Sequence, residues 1–199
     1  HSVALQFRYL FVTDADGLKV IDITDPTQPR LTPDNTIALA QARRLHLART
    51  YAYVAAGAEG VAIVNIGQPE KMRLLQAFKD GLSDPYDVTV ASTNASLFAY
   101  VADGNGGLKV LQLTSPDSQP KFYGFSPEPK PELIASYPTT SSALSLSRGL
   151  ERDRGVDETG GQVAVFGRVG SRPLNLEEMR KLFTDKDGKP WYVENKPSP

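Results

Sequence analysis

One ten-residue phrase is written three times in this chain: "GLKVIDITDP" from Gly17, "GVAIVNIGQP" from Gly60 and "GLKVLQLTSP" from Gly107. The glycines stand 43 and 47 residues apart, a period that belongs to blades of β-sheet rather than to helical repeats. A fourth, degenerate copy, "GQVAVFGRVG", begins at Gly161, 54 residues further on. The longer gap is accounted for by a proline-rich insertion, "SPDSQPKFYGFSPEPKPE", from Ser115 to Glu132.

The flanks of each copy are as regular as the phrase. "YLFVTDAD", "YAYVAAGAE" and "LFAYVADGNG" precede the three glycines. Each reads as a strand, a tight Asp/Asn/Gly turn and a second strand of alternating apolar and polar residues, which is a hairpin. Gly17, Gly60, Gly107 and Gly161 then close the turns that feed the repeated strand. A further alternating segment stands upstream in each unit, "SVALQ", "RLHLA", "YDVTVA" and "ALSLS", and an apolar stretch such as "MRLLQAF" or "ELIASYP" stands downstream. Four short antiparallel strands per unit of about 45 residues make a propeller blade. One such sheet has two apolar faces and cannot cover them alone, so blades must stack.

The reading is therefore all-β: a propeller-like stack of about four blades, three full and one partial, standing alone or as part of a larger propeller. Blade 1 takes residues 1–40, blade 2 residues 41–83, and blade 3, with the insertion, residues 84–141. A partial blade 4 takes residues 142–183 and ends in a short helix, and residues 184–199 form a tail. The helix is predicted in "LNLEEMRKLF", Leu174 to Phe183, where the apolar spacing turns helical and Pro173 or Asn175 marks the start.

The pattern "YVADGNGGLKV" with its trailing "SP", clearest at Tyr100 to Pro116 and repeated at Tyr9 to Pro26, resembles the LVIVD repeat of bacterial and archaeal surface or secreted proteins. The second copy departs from it, with Asn65 where the first has Asp22. The resemblance implies a propeller without a common enzymatic activity, placed at the cell surface, outside the cell or in the periplasm, and in some cases beside multihaem cytochromes.

Composition narrows the chemistry. The 22 basic and 23 acidic residues leave a formal net charge of -1, so no global field favours nucleic acid. No apolar run approaches the roughly 18 residues of a membrane span. Cysteine is absent, which removes disulfides, thiolate nucleophiles and covalent haem attachment in this chain. No nucleophile elbow, P-loop, dinucleotide fingerprint or zinc signature is present. The expectation is no enzyme, no cofactor in this chain, and haem only in a partner. The start at His1, directly on an alternating stretch, reads as trimmed from something longer.

Candidate sites divide into turns and departures from the repeat. Asp14 with Asp16, and Asp103 with Asn105, offer hard oxygen donors for calcium, but turn chemistry alone accounts for them. Asp185, Asp187, Gly188 and Glu194 sit at EF-hand offsets with Phe183 in the first ligand position, so a β-turn is the better reading. His46, between Leu45 and Leu47, points away from their face as a surface or inter-blade histidine; His1 is the other histidine. Asn94 opens a formal glycosylation triplet. The expected partner contacts are Phe122, Tyr123 and Phe125 of the insertion and Arg148, Arg152 and Arg154 of a charged loop. That insertion reads equally as an extended arm or a connecting loop, and the arginines read most simply as an ion-pair network tying their loop down. The expected partner is a protein, a multihaem cytochrome or further propeller repeats; the alternative is a ligand- or sugar-binding, or enzymatic, propeller with its site at the central channel.

Overall fold

The structure, a computed structural model, describes residues 1–32, 35–93, 96–115, 126–147, 168–169, 172–173 and 175–189. The chain divides into two compact units, His1–Ser147 and Arg148–Pro199. The first is built of three antiparallel sheets. Sheet 1 holds β1 (Ser2–Gln6), β2 (Tyr9–Asp14), β3 (Gly17–Asp22), β4 (Arg30–Leu31) and β5 (Ile37–Ala38). Sheet 2 holds β6 (Leu45–Ala48), β7 (Tyr51–Ala55), β8 (Val61–Asn65) and β9 (Arg73–Phe78), paired in sequence order. Sheet 3 repeats that order with β10 (Asp87–Thr93), β11 (Ser96–Ala102), β12 (Leu108–Thr114) and β13 (Glu132–Tyr137).

The repeated phrase is the third strand of each sheet. Gly17, Gly60 and Gly107 all have positive φ, at 132°, 84° and 77°. A Cβ on any of them would lie 2.0–2.3 Å from a carbonyl of the fourth strand: Ile37, Phe78 or Tyr137. The glycine is thus required twice, by its backbone angle and by the closeness of the neighbouring chain. Even the irregularity recurs, since the ladders β8–β9 and β12–β13 both shift register three residues past the glycine, at Ile63/Val64 and Val110/Leu111. Sheet 1 departs from the pattern: its fourth strand is split, β4 and β5 both pairing with β3. The stretch between them carries Pro33 in the sequence, and proline cannot donate to a ladder.

Two cores alternate with the sheets. Tyr9, Phe11, Leu18 and Val20 of sheet 1 pack with Ala52, Val54, Ala62 and Val64 of sheet 2. The opposite side chains of the same two strands, Tyr51, Tyr53, Val61 and Ile63, pack with Ala99, Val101, Leu111 and Leu113 of sheet 3. Every residue of β7 is consequently buried, the expected result for a strand covered on both faces.

"ALSLS", expected as an inner strand, does not form one. Ala143 makes an isolated bridge to Gly104, and Leu144–Ser147 carry no ladder. A strand needs a partner, and the hairpin that would supply it, around Gly161, lies outside the described residues.

In the second unit, β14 (Arg168–Val169) pairs with β15 (Arg172–Pro173), and among the described residues a helix spans Leu176–Phe183. Its start is a capping box: Asn175 Oδ1 accepts from Glu178 N at 2.9 Å, and Glu178 Oε2 accepts from Asn175 N at 2.8 Å. Asn175→Ala should cost that helix about 1 kcal/mol, seen as roughly fivefold faster amide exchange in its first turn. Unchanged exchange there would refute the cap.

Candidate functional site

The polar side chains of the first unit gather where the sheets join, at the end carrying the β2–β3, β7–β8 and β11–β12 turns. Arg43, just ahead of β6, touches sheets 1 and 2 and the connector that leads into sheet 3. Its N–H donates to Ala55 O at 2.8 Å within sheet 2. Its carbonyl accepts from Thr13 Oγ1 of β2 at 2.5 Å. Its guanidinium donates to Pro85 O at 3.0 Å, pairs with Asp84 Oδ1 at 2.9 Å and lies 3.8 Å over the Tyr86 ring, all on the approach to β10.

Asp103 and Asp87 continue the pattern. Asp103 is fully buried at the end of β11; Oδ1 accepts from Ser83 N at 2.9 Å and Asp84 N at 2.8 Å, and Oδ2 also lies 2.9 Å from Ser83 N. A Cβ on Gly106 would come 2.1 Å from Asp103 Oδ2, so the turn is closed on that carboxylate. Asp87 Oδ1 accepts from Val88 N and Oδ2 accepts from Leu146 N, both at 2.8 Å. Buried carboxylates are stable when their oxygens accept backbone N–H groups, and both do so here. The Asp103 turn read as a calcium candidate is therefore an anchor for the connector between sheets 2 and 3.

The other acidic turns are also internally satisfied. Lys19 Nζ lies 2.7 Å from Asp14 Oδ2 and 2.6 Å from Asp16 Oδ2. That hydrogen bond, with the backbone N–H of Asp16, holds the Asp14 carboxyl below its usual range. Asp185 closes a turn on itself, its Oδ1 accepting from Asp187 N at 2.8 Å and Lys189 N at 2.9 Å. Among the described residues no three His, Asp or Glu side chains come together as a metal-binding group. His46 is half-buried on β6 opposite Tyr53, and His1 Nδ1 donates to Ala42 O at 2.6 Å.

At the other end of the first joint, Asn35 bridges sheets 1 and 2, donating to Pro69 O at 2.5 Å and accepting from Met72 N at 2.9 Å. Tyr9 OH donates to Glu70 Oε1 at 2.7 Å beside an open groove of about 390 Å³ lined by Arg8, Gln68 and Lys71. The described end of the insertion lies on sheet 2 of the same chain: Ser126 Oγ is 2.6 Å from Thr50 Oγ1, and Pro129 O accepts from Gln76 Nε2 at 3.1 Å. Phe122, Tyr123, Phe125, Arg148, Arg152, Arg154, Asn94 and Gly161 lie outside the described residues.

Sequence reasoning missed Arg43, Asn35, Asp87 and the anchoring role of Asp103. Their partners across a joint are 19 to 59 residues away in the chain, beyond any local pattern. The Tyr53 hydroxyl is another such case. It is fully buried between sheets 2 and 3 with no hydrogen-bond partner among the described residues, and burial, followed by nearby Tyr51, raises its pKa. An unsatisfied buried hydroxyl costs on the order of 1–3 kcal/mol, so Tyr53→Phe should leave the thermal midpoint unchanged or raise it. A loss above about 1 kcal/mol would mean that the hydroxyl is satisfied after all.

Three stacked antiparallel sheets, one of five strands and two of four, joined by apolar faces and latched by side chain to backbone bonds, define a propeller-type repeat module. The model of the LVIVD repeat matches residues 1–33, 41–80 and 97–124, just over half of the chain, and the chain belongs to that family. The matched segments fall on the three sheets, and the degenerate copy at Gly161 is outside them. No curated protein matches the chain.

Proposed function

We propose that this chain is a non-enzymatic interaction and scaffold module, working outside the cytoplasm as one part of a larger assembly beside a multihaem cytochrome or further propeller repeats. The observation that carries this reading is the uncovered apolar face of sheet 1. Val3 and Leu5 on β1 are 60% and 63% exposed, and Phe7, in the turn after them, is 91% exposed at a positive φ of 54°. Exposed apolar patches of this kind mark sites of association, and a bulky residue with positive φ is strained and uncommon. The polar constellation at the turn end supports the same reading, because its carboxylates and its guanidinium are engaged in holding sheets together.

Partner contacts are assigned to the segments that break the repeat: the insertion around Phe122, Tyr123 and Phe125, and the loop of Arg148, Arg152 and Arg154. Haem, where present, belongs to the partner chain. The test is the native particle. Extraction from its source under mild conditions should give a species far heavier than 21.7 kDa, with haem absorbance co-migrating. A monodisperse, colourless species of the chain's own mass would overturn the proposal.

A further inference from the structure

We propose that the polar cleft between the end of β8 and the start of β9, lined by Asn65, Gln68, Lys71 and Arg73, binds the carboxylates of an acidic segment on a partner protein. This deepens the reading of the chain as an interaction module and rests on it.

The repeat itself supplies the comparison. On sheet 1 the register row Tyr9, Asp22, Arg30 crosses β2, β3 and β4. On sheet 2 the same row reads Tyr51, Asn65, Arg73 across β7, β8 and β9, and directly paired residues of an antiparallel ladder share a face. The turns that follow are bonded alike. Asp22 Oδ1 accepts from Thr24 N at 2.8 Å, and Asn65 Oδ1 accepts from Gly67 N at 2.9 Å. Ile23 N donates to Arg8 O at 2.8 Å, and Ile66 N donates to Thr50 O at 2.9 Å. Asparagine in place of aspartate therefore keeps the turn and removes the charge. Asp25 of the first turn is likewise matched by Gln68 of the second, 43 positions later, so a second carboxylate is gone.

The cations did not leave with them. Hydrogen bonds from Thr24, and after them the charges of Arg8 and Arg30, hold the Asp22 carboxyl of sheet 1 below its usual range. On sheet 2, Arg73 keeps the place of Arg30, and Lys71 stands where the first copy has Gln28. Both are exposed, and neither has a carboxylate partner among the described residues. Glu70, beside Lys71 in the chain, is engaged by the Tyr9 hydroxyl at 2.7 Å and by Arg8 at 3.5 Å. The cleft has a volume of about 300 Å³ and shares Gly67, Gln68 and Lys71 with the groove beside Tyr9, which gives an extended segment a continuous path. Asn35 pins the loop at Pro69 O and Met72 N, on either side of Lys71. An arginine fork takes a carboxylate through two parallel N–H bonds, and side-chain amides such as those of Asn65 and Gln68 donate as well. A carboxylate seated there restores from outside the pairing that sheet 1 makes internally.

Fluorescence anisotropy of the whole 199-residue chain with a tagged glutamate hexamer, at about 20 mM salt where exposed charges are little screened, should give a Kd at or below roughly 1 mM. A glutamine hexamer should bind at least roughly tenfold more weakly. Asn65→Asp writes the sheet 1 carboxylate into sheet 2. Because Asp22 shows that this turn carries an aspartate, the thermal transition should hold while hexamer binding falls by roughly fivefold or more. Ser141→Asp, exposed beside the β11–β12 turn at the opposite end, changes the net charge equally and should leave binding as it was. Arg73→Gln should repeat the loss, which keeps the test decisive if Asn65→Asp unfolds. No binding, equal binding of the glutamine hexamer, full binding by Asn65→Asp or Arg73→Gln, or an equal loss in Ser141→Asp would each overturn the site. Inorganic phosphate bound at these residues without the hexamer would overturn it too. Such a failure beside a heavy native particle removes this contact and leaves the module reading standing; hexamer binding by a chain whose native form is a lone monomer overturns the module reading instead.

Discussion

Gly60→Val is expected to lower the stability of the first unit by roughly 3–5 kcal/mol, the sum of a left-handed backbone forced on a branched residue and a clash in a packed site. Gly60 has φ 84°, and its Cβ would stand 2.0 Å from Phe78 O and 2.8 Å from Phe78 C. Both are backbone atoms of the neighbouring strand, so relief requires β9 to part from β8, and β9 supplies Phe78 to the second core. Gly57→Ala is the internal comparison. Gly57 also has positive φ, 53°, but its Cβ would meet the end of the Gln41 side chain, which can swing away at the loss of one hydrogen bond to Ala58 N. It should cost only about 1–2 kcal/mol. Urea titration of both variants, with the slope held constant, reads the difference. Equal losses would show that closeness to the fourth strand plays no part and that backbone angle alone selects glycine.

Asp103→Ala is expected to cost about 1–3 kcal/mol, because it removes the buried acceptor of the Ser83 and Asp84 N–H groups. Those two amides should exchange faster by at least tenfold, while amides of sheet 1 follow only the global loss. Asp103→Asn keeps an oxygen that can accept from both amides and should lose about half as much. A loss under about 0.5 kcal/mol for the alanine variant would place the carboxylate among ordinary surface turns. The position matters beyond its own turn, because Asp84 also pairs with Arg43, whose carbonyl binds Thr13. Asp103, Asp84, Arg43 and Thr13 thus form one line of bonds from the turn after β11, through the connector into sheet 3, to β2 of sheet 1.

The legible parts of this protein are those written at short range. Alternation in "YLFVTD" or "LKVLQLT" states which residues share a face, and a glycine after an Asp/Asn-rich turn states where a hairpin reverses. The third-strand role of the repeated phrase, the upstream strands β1, β6 and β10, and the helix opening at Asn175 all follow from such patterns. "ALSLS" shows the limit: it alternates as well as "SVALQ" does, yet alternation records compatibility with a strand and not the presence of a partner to pair with. The insertion shows another, since nothing in its prolines says that Ser126 and Pro129 settle on Thr50 and Gln76 of the same chain.

The candidate site was legible only as residue types. "DGNGG" spells a turn whether its aspartate faces water or is buried and accepts two amides of the preceding connector, and "ARRLHL" does not say which arginine reaches across a joint. By itself the sequence determined the unit of construction, because period, alternation and turn chemistry act within one blade of about 45 residues. Tertiary structure alone decided which aspartate is buried, where Arg43 lands, that sheet 2 is covered on both faces, and that Val3 and Leu5 of sheet 1 stay exposed. The physical reason is that these depend on stacking, which brings together residues 19 to 59 positions apart whose spacing leaves no periodic trace.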